Sequence, residues 1–197
     1  MNDSHIADLI EKIRRLETEV EAEVTRKRAG LRYGLERGKV IFEEEVARRH
    51  RELQKGLGRY LFDAHPLSIL SAPVIYSLIV PVVLLDLWAS LYQAVCFPVY
   101  GIPKVKRGDY LEFDRRYLPY LNLIERLNCA YCSYANGIIA YVREIASRTE
   151  QYWCPIKHAR RLQGAHDRYR TFADYGDAEG YTTGLEAFRR NLKGDSP

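Results

Sequence analysis

The sequence predicts a mostly α-helical protein that is anchored in a membrane. Three observations lead to this fold class: apolar residues with helical spacing in a charged N-terminal segment, no Lys or Arg between Arg59 and Lys104, and Cys and His residues with metal-ligand spacing near the C-terminus. The 197 residues divide into an amphipathic, coiled-coil-like helix over 1–58, a membrane anchor over 66–103, a Cys/His domain over 108–181 and a flexible tail over 182–197.

The N-terminal segment is predicted to be helical from residue 4 to about residue 57. Its apolar residues recur three or four positions apart and form a narrow stripe along one side of a helix. The stripe contains Ile6, Leu9, Ile13, Leu16 and Val20. A narrow stripe is typical of the seam between two helices. We therefore expect residues 6–24 to pair with a helix of a partner protein or with a second copy of the chain.

Glycine recurs at every fourth position after this stripe, at Gly30, Gly34 and Gly38. Small residues at this spacing could line a groove where another backbone approaches closely. Because each Gly weakens a helix by roughly 1 kcal/mol relative to Ala, a weak or bent helix is the other interpretation.

The anchor is an apolar run from Pro66 to Pro103 that contains one fully charged residue, Asp86. About 20 apolar residues suffice to cross a bilayer, and three prolines argue against one straight rod. The run fits either a kinked helix from about residue 74 to 97 or a re-entrant helical hairpin that turns near Pro81. Basic residues flank the run on both sides, so the positive-inside rule selects no orientation.

Asp86 admits two interpretations. A carboxylate at membrane depth is costly and points to a function or a buried partner. Alternatively, Asp86 lies near an interface or at a turn that water reaches.

The net charge and the number of cysteines argue against a nucleic-acid-binding protein and against a disulfide-rich secreted protein. The formal net charge of +4 is small for a nucleic-acid binder, so no nucleic-acid partner is expected and the lipid bilayer is the predicted partner. Four Cys do not indicate a disulfide scaffold. No secretory signal peptide is apparent, and we expect the polar parts of this membrane protein to be cytoplasmic.

The C-terminal part contains a candidate metal site. Cys129-Ala-Tyr-Cys132 offers two thiolates, and Cys154-Pro-Ile-Lys-His158 offers a thiolate and an imidazole at the predicted start of a helix. Three thiolates and one imidazole complete a closed tetrahedral zinc site. The same thiolates could bind iron or an iron-sulfur cluster.

The spacing of these four residues resembles a treble-clef arrangement over residues 129–158, with Ser133 where a Gly usually follows the knuckle. Apolar residues between 138 and 152 have helical spacing, and one continuous helix there would separate Cys154 from Cys132. In that case His166 and Asp167 would lie nearer to Cys129. A different Cys/His grouping and unmetallated, packed cysteines also remain open.

Two functions follow from these features. The first is a membrane-anchored, metal-binding scaffold or accessory subunit, in which a closed ligand set would be structural. The alternative is a redox or metal-dependent enzyme or electron carrier at the membrane surface, which would use the Cys/His cluster with Asp86 or Glu125. No P-loop, nucleophile elbow, dinucleotide-binding glycine pattern or HExxH occurs. The sequence therefore assigns no catalytic residue.

Overall fold

Helices account for 74% of the computed structural model, which describes residues 3–29, 33–36 and 39–194. The mostly α fold predicted from the sequence is confirmed. The elements are α1 Asp3–Ala29, β1 Tyr33–Glu36, β2 Lys39–Phe42, α2 Glu44–Glu52, α3 Leu57–Asp63, α4 Pro66–Ser77, α5 Ile79–Tyr100, α6 Leu123–Trp153 and α7 Ala178–Gly194. Short 3₁₀ turns cover Arg107–Asp109, Asp114–Tyr117 and Asp167–Thr171.

The N-terminal helix is shorter than predicted. Helix α1 ends at Ala29, and the chain then forms an antiparallel β-hairpin in which Gly34 pairs with Ile41. The β-branched residues Val40 and Ile41 favour a strand, which explains why the helix does not reach residue 57. Of the repeated glycines, Gly34 is therefore in a strand, while Gly30 and Gly38 lie outside the described residues.

The predicted anchor forms one helical run from Pro66 to Tyr100, long and apolar enough to cross a membrane. Leu78 joins α4 to α5 and keeps helical dihedrals, φ −61° and ψ −15°. The re-entrant hairpin is therefore not found in this segment, all of which is described. Pro81 falls in the first turn of α5, where its missing N–H leaves no helical hydrogen bond unmade.

Helix α5 ends at a left-handed residue, Gly101, with φ 67°. The Ile102 N–H donates to the Phe97 carbonyl at 2.9 Å, and the Gly101 N–H donates to the Pro98 carbonyl at 3.3 Å. This pair of bonds is a Schellman motif, and Phe97 and Ile102 are both buried beside it. The motif reverses the chain into residues 101–122, which we call the strap.

Helices α5 and α6 run parallel, because their contacts advance together along both chains. Tyr134 contacts Asp86, Tyr141 contacts Ser90, and Thr149 contacts Tyr92. A parallel pair requires a connection that returns along its full length. The strap is that connection, and it lies against both helices.

The core combines segments from across the chain rather than from one domain. It consists of Ala89 and Phe97 of α5, Ile102 and Val105 of the strap, Ile138, Tyr141 and Ile145 of α6, and Leu192 of α7. Segments predicted to form an anchor and a separate C-terminal domain thus share one apolar cluster.

The predicted flexible tail is instead largely helix α7. Leu185, Phe188 and Leu192 have helical spacing, and Leu192 is only 2% exposed. The Gln151 side chain on α6 donates to the Phe188 carbonyl at 2.9 Å. Burial of this apolar face fixes the helix, since helices in proteins are stabilised mainly by packing.

Gly137 permits the strap to touch α6, and its replacement tests this packing. A Cβ there would lie 2.5 Å from the Tyr110 carbonyl oxygen and 2.7 Å from Leu111 Cδ2. Gly137→Ala should therefore lower the free energy of unfolding by about 1–3 kcal/mol, although Ala normally stabilises a helix by about 1 kcal/mol over Gly. Urea unfolding in detergent micelles, followed by circular dichroism, measures the change.

Gly58→Ala is the matched control, because Gly58 also lies in a helix and has open space around it. Its free energy of unfolding should stay the same or rise. Equal effects of the two substitutions would contradict the close approach of the strap at Gly137.

Candidate functional site

Asp86, the charged residue of the apolar helix, is buried and bound from two sides. Arg107 of the strap donates to both carboxylate oxygens, from Nη2 at 2.7 Å and from Nε at 3.2 Å. The Tyr134 hydroxyl on α6 donates to Oδ2 at 2.8 Å. A two-bond contact between guanidinium and carboxylate fixes geometry as well as charge. The hydrogen bonds that Arg107 donates to Asp86 raise the pKa of Arg107 above its usual value.

Gln93 is the second buried polar residue of α5, 7% exposed. Its Oε1 accepts from the Val105 N–H at 2.9 Å, and its Nε2 donates to the Val105 carbonyl at 3.3 Å and to the Tyr141 hydroxyl. One amide side chain thus satisfies both backbone groups of a strap residue, as a neighbouring strand would.

The sequence did not identify these partners. It left two interpretations of Asp86: a carboxylate with a function or a buried partner, or a carboxylate near an interface or a turn that water reaches. The structure buries Asp86 and gives it an ion-pair partner, Arg107, whose own side chain is 48% exposed. The sequence does contain a signal: Asp86, Ser90 and Gln93 are spaced by four and three positions, so that they share one face of α5. A further strap contact comes from Arg148, whose Nη1 donates to the Pro103 carbonyl at 2.7 Å.

The opposite side of α5 and most of α4 carry large apolar side chains that the rest of the described chain leaves largely exposed. One of them, Tyr76, also packs edge-on against Tyr131 of α6, with ring centroids 5.8 Å apart. Eleven of them lie between residues 67 and 85, each at least 37% exposed. We call the full set the apolar surface: Leu67, Ile69, Leu70, Val74, Ile75, Tyr76, Leu78, Val80, Val83, Leu84, Leu85, Leu87, Trp88, Leu91, Val95 and Val99.

The four predicted metal ligands are not brought together. Cys129 and Cys132 lie in the first third of α6, whereas Cys154 caps the C-terminal end of the same unbroken helix. The 22-residue separation of Cys132 and Cys154 corresponds to about 33 Å at 1.5 Å per residue. A zinc–sulfur bond is about 2.3 Å long, so these thiols cannot share one ion in this fold.

Cys154 and His158 have other contacts at the end of α6. The Cys154 N–H donates to the Glu150 carbonyl at 2.8 Å, and the His158 N–H donates to the Tyr169 hydroxyl at 2.5 Å. Burial and the nearby charge of Glu150 raise the pKa of the Cys154 thiol. A raised pKa disfavours the thiolate, which is the form that binds metals and attacks electrophiles.

His166, the alternative ligand, also lies away from Cys129. Its Nδ1 accepts the Tyr169 N–H at 3.2 Å, so Nε2 carries the proton that it donates to Glu150 at 2.8 Å. Both ring nitrogens are therefore engaged within the fold. Among the residues that the structure describes, no group of three or more His, Cys, Asp or Glu could hold a metal ion.

The carboxylates near α6 also have structural roles. Burial raises the pKa of Glu144, but hydrogen bonds from Arg148 at 2.7 Å and Arg168 at 2.8 Å outweigh this and hold it below its usual value. Glu125 forms a capping box with Asn122, the N-cap residue of α6. These contacts stabilise helix ends and the packing of the 3₁₀ turn at Asp167–Thr171.

Comparison of the chain with protein-family models, with curated proteins and with solved structures gives no match. The site must therefore be judged by its own geometry. The buried polar cluster holds the strap on α5 and α6. The apolar surface is larger than the exposed apolar patches that are usual in soluble monomers and is therefore a candidate binding surface in the described part of the chain.

Asp86 and Arg107 should differ in how much their loss destabilises the fold. Arg107→Met leaves a buried carboxylate without its cation and should cost about 3 kcal/mol. Asp86→Asn leaves an Arg side chain that is 48% exposed, which water can solvate, so the cost should be about 1 kcal/mol. Urea unfolding in detergent micelles measures both values.

Asp86→Leu combined with Arg107→Met should recover most of the loss, because the pair is then replaced by apolar groups. Arg115→Met serves as the control: Arg115 is exposed on the same strap, and its change should stay within about 0.5 kcal/mol. A larger loss for Asp86→Asn than for Arg107→Met would contradict this account of the pair.

Proposed function

We propose that this protein is a membrane-anchored helical scaffold or accessory subunit. The apolar surface of α4 and α5 attaches it to a lipid bilayer, and α1 pairs with another helix. The observation that carries the proposal is the exposure of the apolar surface over the whole length of Pro66–Tyr100.

The apolar character and exposure of residues 66–85 support lipid as the environment of this surface. Most of their apolar side chains are exposed, and a helix that is apolar nearly all round belongs in a protein core or in a membrane. Val82 packs against the core and Tyr76 against Tyr131 of α6, and the rest of the described chain leaves most of the others uncovered. Soluble monomers rarely expose contiguous apolar patches of this extent.

Helix α1 supports the scaffold role. Between residues 8 and 27 its described side chains are exposed, apart from the half-buried Ile10. Four residues of the predicted stripe are among them: Leu9, Ile13, Leu16 and Val20 are 44%, 41%, 59% and 62% exposed. An exposed stripe of this width fits the seam of a two-helix coiled coil, and a second copy of the chain is the simplest partner.

The metal-binding part of the sequence prediction is not included in this proposal. The separation of Cys132 from Cys154 along α6 removes the closed site on which the zinc, iron and iron-sulfur predictions were based. The membrane-surface enzyme depended on the same cluster, so no observation in the described part of the chain favours it.

Membrane attachment should depend on the outward face of α5. Leu84→Glu with Leu91→Glu replaces two exposed apolar side chains by charges. Because burial of each Leu contributes about 1.5–3 kcal/mol, the double variant should lower liposome binding about a hundredfold or more. Flotation of the full-length protein with phosphatidylcholine liposomes, after detergent removal, measures the bound fraction.

Thr182→Glu with Thr183→Glu is the control for this experiment. These two residues are exposed on α7, and they add the same charge away from the apolar surface. Binding should match that of the wild type. A wild-type protein that stays out of the lipid fraction, monodisperse and without detergent, would refute membrane attachment.

Self-association should depend on the stripe of α1. Leu16→Lys places a charge at the proposed seam and should convert dimers to monomers, because a charged residue in a coiled-coil seam is desolvated without a partner. Thr18→Lys, which is on the opposite side of α1, should leave the dimer intact. Analytical ultracentrifugation in detergent measures the mass, and equal masses for the two variants would exclude pairing through this stripe.

A further inference from the structure

The strap constrains how the apolar helix can lie in a membrane. It begins at Gly101, where α5 ends, and leads to Asn122, where α6 begins beside α4: the Tyr131 hydroxyl of α6 donates to the Ile75 carbonyl at 2.8 Å. The strap therefore runs alongside the apolar helix from its end back to α4. If that helix crossed a bilayer, most of the strap would have to cross with it.

The strap is chemically unsuited to a hydrocarbon environment. Arg107 marks the level of Asp86 through their salt bridge, and the rest of the strap returns along α6, where Tyr110 and Leu111 lie against Gly137, toward the end of α6 that lies beside α4. Its backbone is irregular, apart from two short 3₁₀ turns. Non-helical backbone and charged groups are tolerated at membrane depth only where protein or water surrounds them. The strap has eight charged residues, all exposed: Lys104, Lys106, Arg107, Asp109, Glu112, Asp114, Arg115 and Arg116.

The exposed and buried sides of α5 are opposite each other. Residues 80, 84, 87, 91 and 95 are exposed, whereas Asp86, Ala89, Gln93 and Phe97 are buried. The buried side faces α6 and the strap. The apolar surface therefore points away from the charged strap, which is the arrangement of an element that lies in the plane of the membrane interface.

Contacts at the N-terminal end agree with this orientation. The Gln54 side chain, which precedes α3, donates to the Leu121 carbonyl of the strap at 2.6 Å. The segment before the apolar helix and the strap after it thus touch each other. Two segments in contact through a polar hydrogen bond, both rich in Lys and Arg, belong on the same side of a bilayer.

From these observations, and resting on the proposed membrane attachment, we infer that the helix Pro66–Tyr100 does not span the bilayer. It lies in one leaflet, with the apolar surface toward the acyl chains, and it leaves the strap and residues 43–63 in water on the same side. The protein is in this view a monotopic membrane protein.

Labelling from one side of sealed liposomes tests the inference. The full-length chain, with its four cysteines replaced by Ala, is synthesised in a cell-free system with preformed liposomes of phosphatidylcholine and phosphatidylglycerol. Glu52→Cys reports on the segment before the helix, Glu112→Cys on the strap, and Leu70→Cys on the apolar surface. Floated vesicles are treated with a membrane-impermeant PEG-maleimide, before and after detergent is added.

We expect the Glu52→Cys and Glu112→Cys variants to react fully without detergent, and the Leu70→Cys variant to react only after detergent is added. Protection of either of the first two variants in sealed vesicles would overturn the in-plane orientation. Failure of the wild-type chain to float would instead overturn the proposed membrane attachment, so the two failures are distinguishable.

The unmodified protein provides a second measurement that does not depend on the cysteine-free chain. Trypsin is added to sealed vesicles that contain the wild type, with cleavage expected at exposed Arg48–Arg49 and Arg115–Arg116. An identical fragment pattern in vesicles that detergent has opened supports the inference. New cleavage at either site after opening would place that site in the lumen and contradict it.

Discussion

The binding of the strap by the polar face of α5 is the interaction on which the rest of the structure depends. An irregular segment that packs on an apolar helix needs partners for its backbone and its charges. Gln93 supplies both partners for Val105, and Asp86 supplies the partner for Arg107. Without these two side chains, Val105 and Arg107 would lose their polar partners on α5, and the strap would be held there mainly by apolar contacts.

The same polar face explains why so much apolar area stays exposed. Three polar residues on one side of α5 commit that side to protein contacts, and the other side receives no partner in the described chain. Helix α4 has no comparable polar stripe and remains exposed nearly all round. The packing of α5 and the proposed membrane attachment therefore both depend on the division of this helix into a polar and an apolar face.

Local patterns in the sequence predicted the helical class, the position of the apolar run and the apolar stripe of α1, but left open whether the run forms one helix or a hairpin. They did not predict the contacts that join distant segments. Helical spacing across residues 138–152 competed with the Cys/His spacing, and the helix prevailed because Ile138, Tyr141 and Ile145 bury one continuous face. The partner of Asp86 was not assigned, because Arg107 lies 21 residues away in a segment without periodicity. The C-terminal helix was missed because its stability comes from Leu192 packing on α6.

The parallel pairing of α5 with α6 has a consequence for biosynthesis. Asp86 and Tyr134 are 48 residues apart in sequence, and a ribosome adds about 5–20 residues per second. Helix α5 is thus synthesised several seconds before α6, which covers its polar face. With the proposed membrane attachment, aggregation of this segment competes during that interval with its transfer to lipid. Delivery to the bilayer during translation, or a chaperone that sequesters the nascent chain, should then raise the yield of folded protein.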